Sequence, residues 1–303
     1  MGLHITDWFV VNGDYTMWLM FAFGSALFAG LTAILSKMGL RDTDSTVATA
    51  LRTIVVLVFS WILVFINDIH YGISDISFFA LVFLVLSGLA TGASWLCYFK
   101  ALQLGDVNKV TPIDKSSIIL TMLLAFIILG EPLTWLKIIA MILIGGGTYL
   151  MIQKKKGQVS RSVNTKGWLL YAIGSAIFAS LTAIVGKIGI NEIDSTLGTA
   201  IRTIVVLIMA WGMVFLTKKS KLIKSFNRKS IIVILLSGVA TGSSWLCYYR
   251  ALQMGDASIV VPIDKLSIVI TIAFSTIFLK EKLTIKSVIG LGFIVVGTLL
   301  LLV

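Results

Sequence analysis

The chain is 303 residues long, 58% hydrophobic and only 13% charged, with a mean hydropathy of +1.01. A soluble domain carries about twice that charged share, so soluble, disordered, collagen-like and disulfide-scaffold classes are excluded and an integral membrane protein remains. Lys and Arg total 25 against 14 acidic residues, a net charge of +11, which reads as the basic flanks of membrane spans rather than a nucleic-acid patch, because no soluble basic domain exists to carry one.

Residues 1–15 lack a basic n-region and an Ala-x-Ala cleavage site, so they read as an N-terminal segment and not as a standard cleaved signal peptide. Five apolar spans follow at 16–38, 45–67, 77–100, 107–129 and 133–153. A basic linker over 154–166 leads to five more, at 167–188, 195–216, 230–250, 257–279 and 284–303. Each can cross a hydrocarbon core of about 30 Å at about 1.5 Å per residue. Barrel strands would be about ten residues long with alternating polarity. The expected fold is all-α, with ten transmembrane helices.

The ten spans are two copies of five. Shifted by 150, residues 21–150 lie on 171–300 without a gap and with 61 identities in 130 positions. TGASWLCYFKALQLGD (91–106) matches TGSSWLCYYRALQMGD (241–256), and TPIDKSS (111–117) matches VPIDKLS (261–267). Agreement at charged and aromatic positions is beyond what shared apolar composition produces. Five is odd, so the second copy enters the membrane from the opposite side, and inverted repeats are expected.

Loop charges give an orientation. Lys154, Lys155, Lys156, Arg161 and Lys166 fall after span five, and Lys218, Lys219, Lys221, Lys224, Arg228 and Lys229 after span seven. Lys280, Lys282 and Lys286 surround the turn after span nine, whereas the loop between spans two and three has no Lys or Arg. The positive-inside rule puts those three basic loops in the cytoplasm and both termini outside it.

Within each copy, charge gathers where four span ends meet. The first copy places Lys37, Asp44, Arg52, Lys100, Asp106, Asp114 and Lys115 there, and the second Lys187, Asp194, Arg202, Arg250, Asp256, Asp264 and Lys265. Arg52 lies about 12 Å into its span, and Asp114 and Lys115 about 10 Å into theirs. Ionisable groups at such depth are costly and normally face a bundle interior or a wet cavity. Arg52, Arg202, Asp114, Asp264, Lys115 and Lys265 are therefore candidates for substrate binding or gating. Lys37, Lys187, Asp44, Asp194, Lys100 and Arg250 are candidate gating or structural charges. Salt bridges that merely orient helices are the alternative for all of them. Pro112 and Pro262 are candidate helix bends or first-turn prolines. The SWLCY segments put Trp95 with Tyr98 and Trp245 with Tyr248 on one helical face, as a wall for substrate or as packing.

Cys97 and Cys247 read as packing residues, and no metal-ligand spacing surrounds them. Gly145, Gly146, Gly147, Gly290 and Gly292 suit close helix contacts. His4 and His70 fall in loops, so a coupling proton would need a carboxylate such as Asp114 or Asp264. No hydrolase, P-loop or dinucleotide motif stands out, and no enzyme activity, cofactor or metal is expected.

Two five-helix units, a small-residue first span (GSALFAGLTAILSK) and the segments ILGEPLT (128–134) and FLKEKLT (278–284) resemble the EamA repeat of the drug/metabolite transporter superfamily. Lys280 stands where the repeat usually has Gly before the Glu. The resemblance covers 16–303, with repeats at 16–153 and 167–303. It implies a central cavity between two halves, alternating access, and export or exchange of small metabolites, amino acids or drugs. It also implies that the first four helices of each half line the cavity, and that both termini are cytoplasmic, the reverse of the loop-charge reading. The expected activity is secondary transport of small polar metabolites such as amino acids across the plasma membrane. A proton or counter-substrate would be the coupling species, and the protein a monomer or homodimer. A lipid-headgroup flippase, a cationic drug exporter and a non-transporting scaffold are the alternatives.

Overall fold

A computed structural model of the chain describes residues 5–39, 44–104, 110, 113–151, 167–278 and 284–303. The first copy folds into α1 (Ile5–Gly39), α2 (Ser45–Ile66), α3 (Phe78–Leu104), α4 (Ser117–Leu129) and α5 (Trp135–Leu150). The second folds into α6 (Gly167–Gly189), α7 (Ser195–Leu216), α8 (Arg228–Met254), α9 (Ala257–Lys265), α10 (Ser267–Phe278) and α11 (Ile285–Leu300). Short 3-10 turns at Ile69–Ile73 and Ser220–Ser225 follow α2 and α7.

Short polar side chains start these helices. Asp44 and Asp194 accept from backbone N–H groups two and three residues on, at the heads of α2 and α7. Thr134, Asn227 and Thr284 each accept from the backbone N–H three residues on, at the heads of α5, α8 and α11. Gly130 ends α4 with φ 69°, a left-handed cap that glycine takes without steric cost.

Seven stretches among the described residues are long and apolar enough to cross a membrane: Met17–Ser36, Ser45–Ile66, Phe78–Leu104, Gly167–Gly189, Ser195–Leu216, Arg228–Met254 and Ala257–Phe274. Trp135–Leu150 and Ile285–Leu300 are apolar but shorter. The chain is thus a multi-pass, all-helical membrane protein among the described residues. Several expected spans differ in detail: α1 begins at Ile5, inside the expected N-terminal segment, α5 and α11 are shorter than spans five and ten, and spans four and nine are broken. Span nine is interrupted at Leu266, where Leu266 N–H bonds Ile263 C=O at 2.9 Å and Val269 N–H bonds Leu266 C=O at 2.8 Å. Span four breaks at the equivalent place, with Ser116 N–H bonding Ile113 C=O at 3.2 Å. The break therefore lies four residues beyond Pro262, which sits buried inside α9. Pro112, the Asp106 position and the 154–166 linker lie outside the described residues.

Packing runs chiefly between copies, and it is reciprocal. α1 packs on α8 as α3 packs on α6, α1 packs on α10 as α6 packs on α4, and α2 meets its own equivalent α7. A Cβ on Gly88 would stand 2.7 Å from Val205, and one on Gly238 would stand 2.5 Å from Val55, the same contact under the 150-residue shift. α5 and α11 pair by themselves through Gly147 and Gly290, where a Cβ on either would meet the other's carbonyl oxygen at 2.5 or 2.6 Å. Gly146 and Gly292 meet nothing within 4 Å and take no part in that contact. Large apolar side chains on the helices, among them Ile127, Ile142, Ile208 and Leu216, are exposed, as lipid contact requires.

Candidate functional site

Two hydroxyl–carboxylate clusters lie between the copies, each at the break in its fourth span, with Asp114 just before Ser116 and Asp264 just before Leu266. In one, Ser25 Oγ of α1 donates to Asp264 Oδ1 at 2.5 Å, and Ser244 Oγ of α8 donates to the Ser25 carbonyl at 3.1 Å. Lys265 Nζ closes the cluster, 2.8 Å from Asp264 Oδ2. In the other, Ser175 Oγ of α6 donates to Asp114 Oδ1 at 2.7 Å, and Ser94 Oγ of α3 donates to the Ser175 carbonyl at 3.1 Å. Lys115 departs from the symmetry. It forms no ion pair within 4 Å among the described residues, and its side chain is exposed. Yet it feels the charges of Asp114, Lys265 and Asp264.

The two arginines also differ. Arg202 of α7 is 2% exposed. Its Nη2 donates to Thr91 Oγ1 at 2.7 Å and its Nε to Ser87 Oγ at 3.3 Å, both on α3. Its guanidinium lies 4.4 Å from the Tyr249 ring centre and 5.2 Å from that of Trp245. Aromatic faces and hydroxyls stabilise this cation, and no carboxylate lies within 4 Å of it among the described residues. Arg52 of α2 reaches Ser36 Oγ at 2.7 Å. Its Nε is buried without a hydrogen-bond partner.

The two ends of the bundle are built differently. At the end where α6 finishes and α9 begins, Glu131 accepts from Ala257 N–H at 2.7 Å and Ser258 N–H at 2.9 Å. Lys187 Nζ lies 3.3 Å from Glu131 and donates to the Gly255 carbonyl at 2.7 Å, and Lys137 pairs with Asp256 at 3.3 Å. Burial alone would raise the Glu131 carboxyl. Hydrogen bonds from Ser258 and Ala257 and the charge of Lys187 outweigh it and hold the group below the usual carboxylate range. A cavity of about 350 Å³ remains outside this staple, lined by Glu131, Lys187, Glu192 and Asp256.

At the other end, next to the basic 218–229 loop, a cavity of about 740 Å³ is lined by Thr46, Cys97, Phe99, Lys100, Gln103 and Lys219. Lys219 Nζ pairs there with Asp44 at 2.7 Å. Burial pushes the Asp44 carboxyl up, but the Lys219 hydrogen bond and charge, with the N–H groups of Val47 and Thr46, bring it below its ordinary value.

Several residues singled out in the sequence thus have defined places. Arg202 with Trp245, and Asp114, Asp264, Lys115 and Lys265, come together at the interface of the copies. Asp44 and Asp194 are helix caps. Lys100 and Arg250 bond the glutamines three residues on, at 3.5 and 2.9 Å. Trp95 packs beside Val47, Ala50 and Ala210, and Tyr98 beside Ala101, Val110 and Ala172. Tyr248 contacts Tyr249 edge-on at 5.2 Å; it is Tyr249, not Tyr248, that shares Arg202 with Trp245. Lys37 lies on α1, and its side chain is outside the described residues. Glu131, Ser25, Ser175, Ser87 and Thr91 escaped the sequence reading. Glu131 had a signal in ILGEPLT, whereas buried serines in apolar helices carry none.

Comparison with known proteins places this geometry. The EamA-like transporter family matches twice, over residues 16–153 and 166–303. An uncharacterized transporter of a Sinorhizobium species is 42% identical over 139 residues, 46% of this chain but 99% of that protein, so one copy spans that relative end to end. A putative sugar uptake protein of Listeria innocua is 24% identical over 93% of this chain and 97% of its own. A solved crystal structure shares the fold with a TM-score of 0.77, covering 94% of this chain and 96% of its own at 14% identity. The chain belongs to the EamA-like transporter family, and it is a membrane transporter.

Proposed function

We propose that the protein is a secondary active transporter of small polar metabolites, amino acids foremost, that works by alternating access between two inverted five-helix repeats. The observation that carries this reading is the central charged cluster, to which both copies contribute a carboxylate and a lysine at equivalent positions. Lys115 and Lys265 suit a substrate carboxylate, and Asp114 and Asp264 suit an amine or a coupling proton. The two ends support alternation, because one is stapled by Glu131 and Lys187 while the other opens onto the larger cavity. On the loop charges, the open end is cytoplasmic and the membrane is the plasma membrane.

The test is ligand-induced thermal stabilisation of the purified protein, followed by uptake into proteoliposomes. The panel holds amino acids, organic anions, quaternary amines, lipid headgroups and, in view of the Listeria relative's name, sugars. A ligand at one hundred times its dissociation constant stabilises the folded state by about 2.7 kcal/mol. An amino-acid response lost in Lys115→Gln would support the reading. A response confined to lipid headgroups or to cations would replace it.

A further inference from the structure

Among the described residues, five buried side-chain polar atoms have no partner, and two of them, Arg52 Nε and Ser237 Oγ, are equivalents of a bonded pair. Their equivalents under the 150-residue shift, Arg202 Nε and Ser87 Oγ, are hydrogen-bonded at 3.3 Å. The surrounding hydroxyls are conserved between copies in place and in bonding. Thr91 lies 3.4 Å from Thr182, and Thr241 lies 3.2 Å from Thr32. The receptor for Arg52 on α8 is thus assembled and vacant of its arginine. Arg52 instead reaches Ser36 of its own copy. The second copy has Gly186 at that position, and a Cβ there would stand 2.7 Å from Tyr249 and 2.9 Å from Ser87. Arg202 therefore has no such alternative.

We infer that Arg52 and Arg202 are alternating latches, one for each end of the bundle, and that Ser36 is the positioning residue that sets which end rests open. In the described state Arg202 joins α7 to α3 through Ser87 and Thr91 and holds its end shut. Arg52, parked on Ser36, leaves α2 unlatched from α8 at the basic end, where the larger cavity lies. In the opposite state Arg52 moves to Ser237 and Thr241, closing the basic end, and Arg202 lets go. The physical drive is the cost of leaving buried donors and acceptors unmade, which each state places on one arginine only. The inference rests on the alternating-access reading.

The two native cysteines report the state. Cys97 lines the cavity at the basic end, and Cys247 is its equivalent on α8. The purified full-length protein would be reacted with a polar maleimide, and modification of each cysteine followed by mass spectrometry. Ser36→Ala removes the parking site, so the ratio of Cys97 to Cys247 modification should fall by about tenfold, the effect of one hydrogen bond to a charged group on a two-state ratio. Ser36→Gly, which copies the second repeat, should act in the same direction. Ser237→Ala removes the vacant receptor and should raise the ratio. A purely structural role for these serines predicts no such opposition. Unchanged ratios, or changes of the same sign in Ser36→Ala and Ser237→Ala, overturn the latch. Opposed changes in a protein that moves no ligand of the panel would keep the latch and remove the transport reading.

Discussion

Glu131, in the loop after α4, joins two elements of the other copy at once: Lys187 on α6 lies 3.3 Å away, and the first N–H groups of α9 donate to its carboxylate. The helix N-terminus and the lysine are both positive partners for one 7% exposed acid. Replacing it strands two backbone donors and takes the carboxylate from the half-buried Lys187. Glu131→Ala should therefore destabilise the protein by about 3 kcal/mol, read as a lowered melting temperature in detergent.

The same carboxylate makes stability depend on pH. Its folded pKa is depressed, so its contribution is complete above the ordinary glutamate value of about 4.3 and is lost as pH falls through the lower folded value. Asp44, held down by Lys219, acts in the same window. Melting temperature should drop on acidification below about pH 4.3, and Glu131→Gln should flatten that drop while lowering the plateau above it.

Gly186 tests the latch from the other side. A serine there must push the Tyr249 ring and Ser87 aside. Gly186→Ser should cost about 1–3 kcal/mol by overpacking. It should also raise Cys247 modification, because Arg202 then gains a local partner and loses its aromatic seat.

The central lysines should separate in their effects. Lys265 neutralises Asp264, which is 7% exposed, whereas Lys115 is exposed and has no ion pair among the described residues. Lys265→Gln should lower the melting temperature without ligand. Lys115→Gln should leave it near wild type and weaken binding of an anionic group about tenfold to a hundredfold, measured by calorimetry or thermal shift.

The α5–α11 contact allows no side chain. Gly147→Val would drive a branched side chain into the Gly290 carbonyl, and backbone yields less readily than a side-chain tip. A loss of about 3 kcal/mol and a shift to larger species on gel filtration are expected. Gly146→Ala, on the open face of the same helix, should do neither.

The duplication and seven of the ten spans could be read in the sequence, because they depend on composition and period. What could not be read depends on partners brought from afar. Arg52 and Arg202 sit in the same motif, TIVV following, yet one is seated between aromatic rings and the other is parked on Ser36. Pro262 marks a bend by its chemistry, but the turn forms four residues on, at Leu266. Asp44 and Asp194, candidate gating or structural charges, also cap α2 and α7, a role that their place just before apolar helices gives them. Tyr249 beats Tyr248 to the arginine because the cradle uses positions four apart on α8.

The paired fifth helices have a consequence for the surrounding lipid. At 16 residues each, α5 and α11 reach about 24 Å, short of a hydrocarbon core of about 30 Å. Locked together by Gly147 and Gly290, neither can be lengthened by its neighbour. Among the described residues this pair is shorter than an unthinned core, so a thinner bilayer or dipping headgroups along that flank would match it. The protein is thus asymmetric in its demand on membrane thickness, and acyl-chain length becomes a variable that acts on one side of the bundle.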